Sequence, residues 1–371
     1  MSRDAQLIKE SWVAVEPHAE KVAKFFYAHV FHGHPEIRDM FPVVMDVQRS
    51  RLLRALVRIV QGFENPEFLM PYLNQLGKDH RKFAVAPAHY DVVGASLIAA
   101  LKEFSGETFT PEVEQAWARA YGIAARMMID AAENAAVDEP PWWTAQVVGH
   151  ESRGTEIAVI TVRLDQPYPY LPGQFVAVES ARRPRLWRAM SIANAPRPDG
   201  SLELHVKAVP GGWVSRALVH HTDVGDSLRF GPPMGSMVPN PSSTRNVLCV
   251  AGSTGLAPIR AIVEDMTRWN STRNVHVFFG ARSKAGLYDL EAMEKLAAEH
   301  SWLTVVPAVS DDTGFIGELG NVTDVFAAHG SWDNHDVFAA GSAEMIRATL
   351  AKCHELRIPL SRVRYDSFSD L

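Results

Sequence analysis

The sequence predicts a multidomain chain: an all-α domain, then an antiparallel β-barrel, then an α/β domain built on a parallel sheet. Three observations predict it. Residues 1–138 carry apolar stripes of helical period with sparse proline. Residues 143–240 alternate in strand fashion between glycine and proline turns, and residues 245–371 alternate buried-strand runs with helical ones. At 371 residues the chain is too long for one ordinary core, so two to three domains are expected.

Composition narrows the function classes. Hydrophobic residues make up 47% and charged residues 22%, a globular profile, and the formal charge is −6 with both signs spread along the chain. No basic run tracks a phosphate backbone, so nucleic acid is not an expected partner. The two cysteines, Cys249 and Cys353, stand in no metal-ligand spacing, which fits a reducing compartment and excludes a disulfide framework. Met1 to Glu10 lacks the apolar core of a signal peptide. No stretch approaches the roughly 20 apolar residues of a membrane span. A cytoplasmic monomer with no obligate membrane contact is expected.

In the first segment, Leu52, Leu53, Leu56, Ile59 and Val60 form one helical stripe and Val93, Leu97, Ile98 and Leu101 another. Pro35, Pro42, Pro66, Pro71, Pro87 and Pro111 fall where helices should begin or break. The acidic, proline-rich Asp138-Glu139-Pro140-Pro141 marks a boundary. Beyond it, Ile157 to Val162 and Leu202 to Val206 read as strands, with turns at Asp199-Gly200 and Pro210-Gly211-Gly212. Short strands at this spacing suggest a small antiparallel barrel. From Asn246, strands are expected at Val247–Ala251, Val275–Phe279, Leu303–Val306 and Asp336–Ala340, with helices at Ala257–Trp269 and Leu290–His300 between them. That order predicts a parallel sheet covered on both faces.

After the first of these strands comes Gly252-Ser253-Thr254-Gly255-Leu256-Ala257-Pro258, leading into a helix. A glycine turn at a helix N-terminus lets the backbone approach a pyrophosphate, and its unpaired N–H groups favour negative charge. The same turn also serves as a plain strand-to-helix connection. Further motifs surround it: Leu171-Pro172-Gly173-Gln174-Phe175, Arg188-Ala189-Met190-Ser191, and Lys207 with Gly211-Gly212-Trp213-Val214-Ser215. In combination, residues 143–371 resemble the ferredoxin–NADP reductase-like flavin reductases. The resemblance implies that Gln174, Arg188, Met190, Ser191, Lys207, Gly211, Gly212, Val214 and Ser215 serve FAD, with Arg188 on its pyrophosphate. It places Gly252, Thr254, Gly255, Pro258 and Gly341 at NAD(P)H and Phe368 over the flavin ring. Met190 replaces that family's tyrosine and cannot give its hydrogen bond to the ribityl chain, so weaker FAD retention is expected. Ala340-Gly341-Ser342 replaces Cys-Gly-Pro beside the nicotinamide. Arg282 follows the second strand; it meets the adenosine ribose, meets a 2′-phosphate, or is a solvated turn residue, leaving NADH against NADPH open.

Six histidines precede the boundary. His80 follows Leu69, Leu73 and Leu76 at helical spacing and projects from an apolar stripe, whereas His32 and His34 flank a glycine in an exposed turn. Lys78-Asp79-His80-Arg81-Lys82-Phe83, Tyr90 to Gly94, Phe25-Phe26-Tyr27, His34-Pro35-Glu36 to Phe41, and Ala116-Trp117 to Gly122 together resemble the haem globin domain of bacterial flavohaemoglobins. That family joins such a globin to such a reductase. The resemblance implies haem b held by His80 as iron ligand, Phe41 on the haem face, and Tyr27 donating its phenol proton to O₂. Gln48 and Leu52 would line the same distal pocket, one helical turn apart, and Tyr90 would support the haem from the proximal side. Ala132 stands where the family has a proximal glutamate, and Asp79 where it often has a lysine facing an acid, here Asp366.

The implied activity is nitric oxide dioxygenation: NAD(P)H, FAD and haem form an electron chain, and NO and O₂ are the substrates that give nitrate. Two other readings share these residues. One is a divergent flavohaemoglobin with another electron donor, such as D-lactate, or another oxidant. The other is a globin that binds O₂ or NO and is kept ferrous by its reductase.

Overall fold

A computed structural model describes residues 2–62 and 65–366, and the chain divides between Trp142 and Trp143 into two units. The first is helical: α1 (Arg3–Val15), α2 (Ala19–Gly33), α3 (Asp46–Gly62), α4 (Pro66–His80), α5 (Pro87–Ser105) and α6 (Pro111–Asp138). Local chemistry fixes several starts. The Ser2 hydroxyl accepts the Ala5 N–H at 3.2 Å and the Thr110 hydroxyl the Val113 N–H at 3.4 Å. Pro66, Pro87 and Pro111 open their helices, where a missing N–H costs nothing.

Ile8, Trp12, Val22, Phe26, Tyr27, Leu97, Leu101 and Trp117 form one core, each large apolar side chain contributing about 1.5–3 kcal/mol on burial. Helices α4 and α6 touch closely at Gly77, where a Cβ would lie 2.2 Å from the Met128 carbonyl oxygen. One expectation fails. Pro71 does not break its helix but lies exposed within α4. Its missing N–H leaves the carbonyl of exposed Glu67 to water, while buried Leu69 and Leu73 anchor the helix on either side.

The second unit opens with β1 (Trp143–Arg153), β2 (Ile157–Leu164), β3 (Phe175–Ser180), β4 (Arg188–Ser191), β5 (Ser201–Lys207), α7 (Trp213–His220) and β6 (Ser227–Met234). These strands are antiparallel in the order β4-β3-β6-β1-β2-β5, and a bridge from Ile192 to Leu204 joins the two ends into a barrel. The register of β3 against β6 shifts between Val176 and Val178, beside Pro232-Pro233, which have no N–H groups to give the ladder.

Next come β7 (Asn246–Gly252), α8 (Leu256–Met266), β8 (Val275–Ala281), α9 (Leu290–Glu299), β9 (Leu303–Val309), β10 (Glu318–Leu319), α10 (Val322–Ala328), β11 (His335–Ala340), α11 (Ala343–Glu355) and β12 (Val363–Asp366). The strands are parallel, ordered β10-β9-β8-β7-β11-β12. Leu256, Ile259, Ile262 and Met293 cover one face of the sheet, and Val322, Phe326, Ile346 and Cys353 the other. Strand order reverses between β7 and β11, which opens a crevice at their carboxyl ends.

The barrel and this sheet are tied by polar contacts. Arg260 on α8 reaches Glu203 on β5 and Asp289, at 3.3 and 3.2 Å, and His205 meets the Tyr288 hydroxyl at 2.7 Å. Among the described residues no single helix is long and apolar enough to cross a membrane.

Candidate functional site

Four of the residues expected around a haem distal face lie in one cluster. Tyr27 is buried on α2 and packs edge-on to Phe41, ring centroids 5.5 Å apart, with Phe31 completing the triad. Leu52 packs into the same core, and the Tyr27 hydroxyl donates to the Gln48 backbone carbonyl at 3.4 Å. Burial pushes the Tyr27 phenol up to about 12, so it stays a proton donor at any physiological pH. Its bond to Gln48 is long, and little is lost if the phenol turns to a better acceptor.

His80 closes α4. Its ring Nδ1–H donates to the Leu76 carbonyl at 2.7 Å, the bond its position one turn later allows. That bond spends one ring nitrogen and orients the other, Nε2, which makes no hydrogen bond among the described residues. Desolvation pulls the imidazole below its usual 6.5 and keeps it neutral. A neutral imidazole, fixed through one nitrogen by a carbonyl, is the donor that a haem iron takes. The residues present fit the group.

Tyr90 packs near Leu69, Leu73 and Met128. Its carbonyl accepts the Tyr121 hydroxyl at 2.6 Å, and Tyr121 reaches it because Gly94 clears the way: a Cβ there would lie 2.6 Å from the Tyr121 ring. The Tyr90 phenol itself has no hydrogen bond among the described residues, and burial raises it to about 12. Asp79 forms an ion pair with buried Lys82, three residues on, which neutralises the acid within the helical unit.

On the barrel, Gln174 braces the turn before β3. Its side-chain oxygen accepts the Leu171 N–H at 2.8 Å and its amide donates to the Gly235 carbonyl at 3.4 Å. Gly173 is obligatory there, with φ +93° and room for no Cβ, which would meet the Met237 carbonyl at 2.1 Å. Strand β4 pairs Arg188 with Val178, Met190 with Val176 and Ser191 with Phe175. Arg188 is half-buried, donates only to the Trp187 carbonyl at 2.9 Å, and has no carboxylate partner among the described residues. Burial lowers its pKa. A desolvated guanidinium without an acid is a place for an anion. The turn before α7 adds to it: Gly211 has φ +72°, and the Ser215 hydroxyl donates to the Gly212 carbonyl at 3.4 Å.

Two other expected FAD residues are placed less directly. Val214 is buried in the barrel core, so only its backbone can face a phosphate. The Lys207 ammonium lies 3.7 Å from Glu156, which already offsets its charge.

The crevice between β7 and β11 holds the third cluster. Gly252 and Gly341 end these strands side by side: a Cβ on Gly341 would lie 3.4 Å from the Gly252 Cα. Gly255 starts α8 against β11, where a Cβ would fall 2.1 Å from the Ala340 carbonyl oxygen. Thr254 lies in the turn between, and Pro258 is buried in the first turn of α8. Ser342, in the position of the expected family's proline, caps α11 by accepting the Met345 N–H at 3.2 Å. Arg282 is exposed beyond β8, its carbonyl accepting the Asp311 N–H at 2.8 Å. Phe368 lies outside the described residues.

Asp366, which the resemblance implies as the acid facing position 79, pairs in register with Ala340 at the end of β12. It is buried, one oxygen has no partner, and desolvation pushes its carboxyl up to about 7.

The helical unit, the barrel and the parallel sheet therefore define a haem-type globin followed by a two-domain flavin reductase. A globin model matches residues 24–128, an oxidoreductase FAD-binding domain model residues 144–238, and an oxidoreductase NAD-binding domain model residues 249–351. The Flavohemoprotein of Bordetella parapertussis is 29% identical over 79% of this chain and 78% of its own length. The crystal structure of flavohemoglobin from Malassezia yamatoensis with bound FAD and heme matches with a TM-score of 0.83 at 18% identity, over 99% of each chain. The FAD/NAD-binding domain of nitric oxide dioxygenase from Vibrio cholerae matches with a TM-score of 0.55 at 18% identity, over 61% of this chain and 98% of that one. In the content and order of its domains the chain is similar to the flavohaemoglobins.

Proposed function

We propose that the protein is an NAD(P)H-dependent nitric oxide dioxygenase that binds haem and FAD. The observation that carries this reading is His80: an enclosed neutral imidazole with Nδ1 fixed on Leu76 and Nε2 open. The flavin would convert a two-electron hydride donor into single electrons, and the haem iron would use them to bring O₂ into reaction with NO.

The chain's own residues prepare that chemistry. Tyr27 keeps its proton and offers it beside Phe41, Gln48 and Leu52. Arg188 and the start of α7 hold the pyrophosphate of FAD, while Gln174 rigidifies the turn leading to the flavin strand. Gly252, Gly255 and Gly341 allow the nicotinamide coenzyme close to the sheet edge. Asp366, with a carboxyl pKa near neutrality, can take up or release a proton at that edge.

A second reading, another electron donor to the same flavin, is favoured by Met190 and Ala340. The test feeds NADH, NADPH and D-lactate separately to the holoprotein under anaerobic conditions and follows the flavin and haem spectra. Oxygen and NO are then added and nitrate is measured. Reduction by a nicotinamide followed by many nitrates per protein supports dioxygenation. Reduction by D-lactate alone, or one nitrate per protein, overturns it.

A further inference from the structure

The turn that opens α7 carries a side chain the barrel does not use. Trp213 is 62% exposed, between Gly212 and buried Val214. The Arg183 guanidinium lies 5.9 Å from its ring centroid. Arg183 belongs to the connection between β3 and β4, five residues before Arg188, so this contact draws that connection onto the start of α7.

The charges here are unbalanced. Arg183 donates to the Arg182 carbonyl at 2.7 Å and has no carboxylate partner among the described residues, and its Nε is buried without any partner. Arg188 likewise has no carboxylate among the described residues. Neighbouring Arg182 is different, since Asp226 and Asp223 hold it at 2.9 and 3.4 Å. The start of α7 thus has a flat aromatic face and a cation without an acid beside it, and Arg188 follows five residues on in β4. Those features match a nucleotide diphosphate, whose base stacks on a ring while its phosphates take the cations.

We propose that Trp213, steadied by Arg183, is the platform for the adenine of FAD, with Arg188 and the start of α7 serving the pyrophosphate. The proposal rests on the FAD reading above. It also gives a reason why Met190 is tolerated: grip lost at the ribityl chain is supplied at the other end of the dinucleotide.

FMN separates the two ends, because it shares the ring, ribityl chain and one phosphate of FAD but lacks the adenosine. The full-length chain, freed of flavin, is titrated with FAD, FMN and ADP, following flavin and tryptophan fluorescence. For Trp213→Ala the FAD Kd should rise about tenfold, the size of one lost stacking contact. Trp213→Phe should recover most of that loss. FMN affinity should be the same in all three proteins, which also shows that the variants fold. ADP should compete with FAD about tenfold less well in the alanine variant. An unchanged FAD affinity in Trp213→Ala, or equal losses for FAD and FMN, overturns the platform and leaves FAD binding intact. A wild-type chain that binds neither flavin overturns both.

Discussion

Gly255→Ala tests whether the crevice between β7 and β11 is where the nicotinamide coenzyme works. The added methyl would lie 2.1 Å from the Ala340 carbonyl oxygen, 2.4 Å from its carbon and 2.7 Å from the Gly341 nitrogen. Comfortable contacts begin near 3.4 Å, so a gap of roughly 1.3 Å must open. Every atom in the way is backbone at the end of a buried strand, and none can swing aside. Overpacking of this kind costs about 1–3 kcal/mol. The only relief is for the start of α8 to move off β11, which parts the Gly252–Gly255 turn from Gly341. A displacement of about 1 Å between positioned reactants costs on the order of 10²-fold in rate. The variant should therefore lose about 100-fold in kcat/KM for NAD(P)H with ferricyanide as acceptor, an assay that bypasses the haem. Its FAD content should not change, because the FAD residues lie on the barrel. Gly314→Ala is the control, since its only close neighbour is a side-chain oxygen of Asp312 at 3.6 Å. Wild-type kinetics in Gly255→Ala, at wild-type stability, would refute the reasoning.

Three further outcomes are expected. Met190→Tyr restores a hydroxyl at a half-buried position on β4 and should tighten FAD binding several-fold in a fluorescence titration; no gain would remove the account of Met190 given above. Tyr27→Phe keeps the packing on Phe41 but removes the phenol proton, and O₂ release from the reduced haem protein should speed by about tenfold in stopped flow, with an unchanged rate counting against a distal role. Asp366→Asn should change the pH dependence of stability. Burial raises this carboxyl from 3.8 to about 7, so ionising it disfavours the fold. Stability linked to it is fully present below pH 3.8 and is lost as pH rises through 7, by an amount of order 4 kcal/mol. Urea midpoints of the flavin-free variant should thus exceed wild type at pH 8 and converge with it at pH 4; parallel curves would show that Asp366 does not titrate this way.

Much of the fold was legible because period alone separates its parts. The stripe through Leu97 and Leu101 could bury only as a helix, and Val247–Ala251 only as a strand covered on both sides. Pro71 was misjudged because a proline's effect depends on whether water can serve the carbonyl it leaves, which the residue type does not say. The glycines of the crevice could be named from the sequence, but their meeting could not. Gly252 and Gly341 become neighbours because β11 inserts beside β7, a pairing across three intervening strands and three helices. The Asp79–Lys82 pair follows from helical spacing, but the resemblance points Asp79 at the distant Asp366 instead, and sequence alone does not rank the two. Trp213 could not be singled out from spacing at all, since nothing in the pattern Gly-Gly-Trp-Val-Ser says which of its apolar side chains stays outside.

The departures from the family pattern share a physical logic that the structure makes visible. Where each has a mechanical consequence, a neighbour absorbs it. Lys82 neutralises Asp79 in place, and Ser342 caps the helix that a proline would have begun. Where each has an electronic consequence, nothing in the described residues replaces what is lost. The Tyr90 phenol engages no carboxylate, Ala132 supplies none, and Met190 has no proton to give the flavin. Holding and tuning are thereby separated. On the proposed reading, haem should bind through His80 about as firmly as the fold allows, while the push on the iron is weaker than a proximal carboxylate would provide. Placing Glu at position 132 is the direct way to join the two again, because α6 already carries that position beside the helix that ends in His80. A lower haem reduction potential in Ala132→Glu, at unchanged haem content, is the result this argument requires.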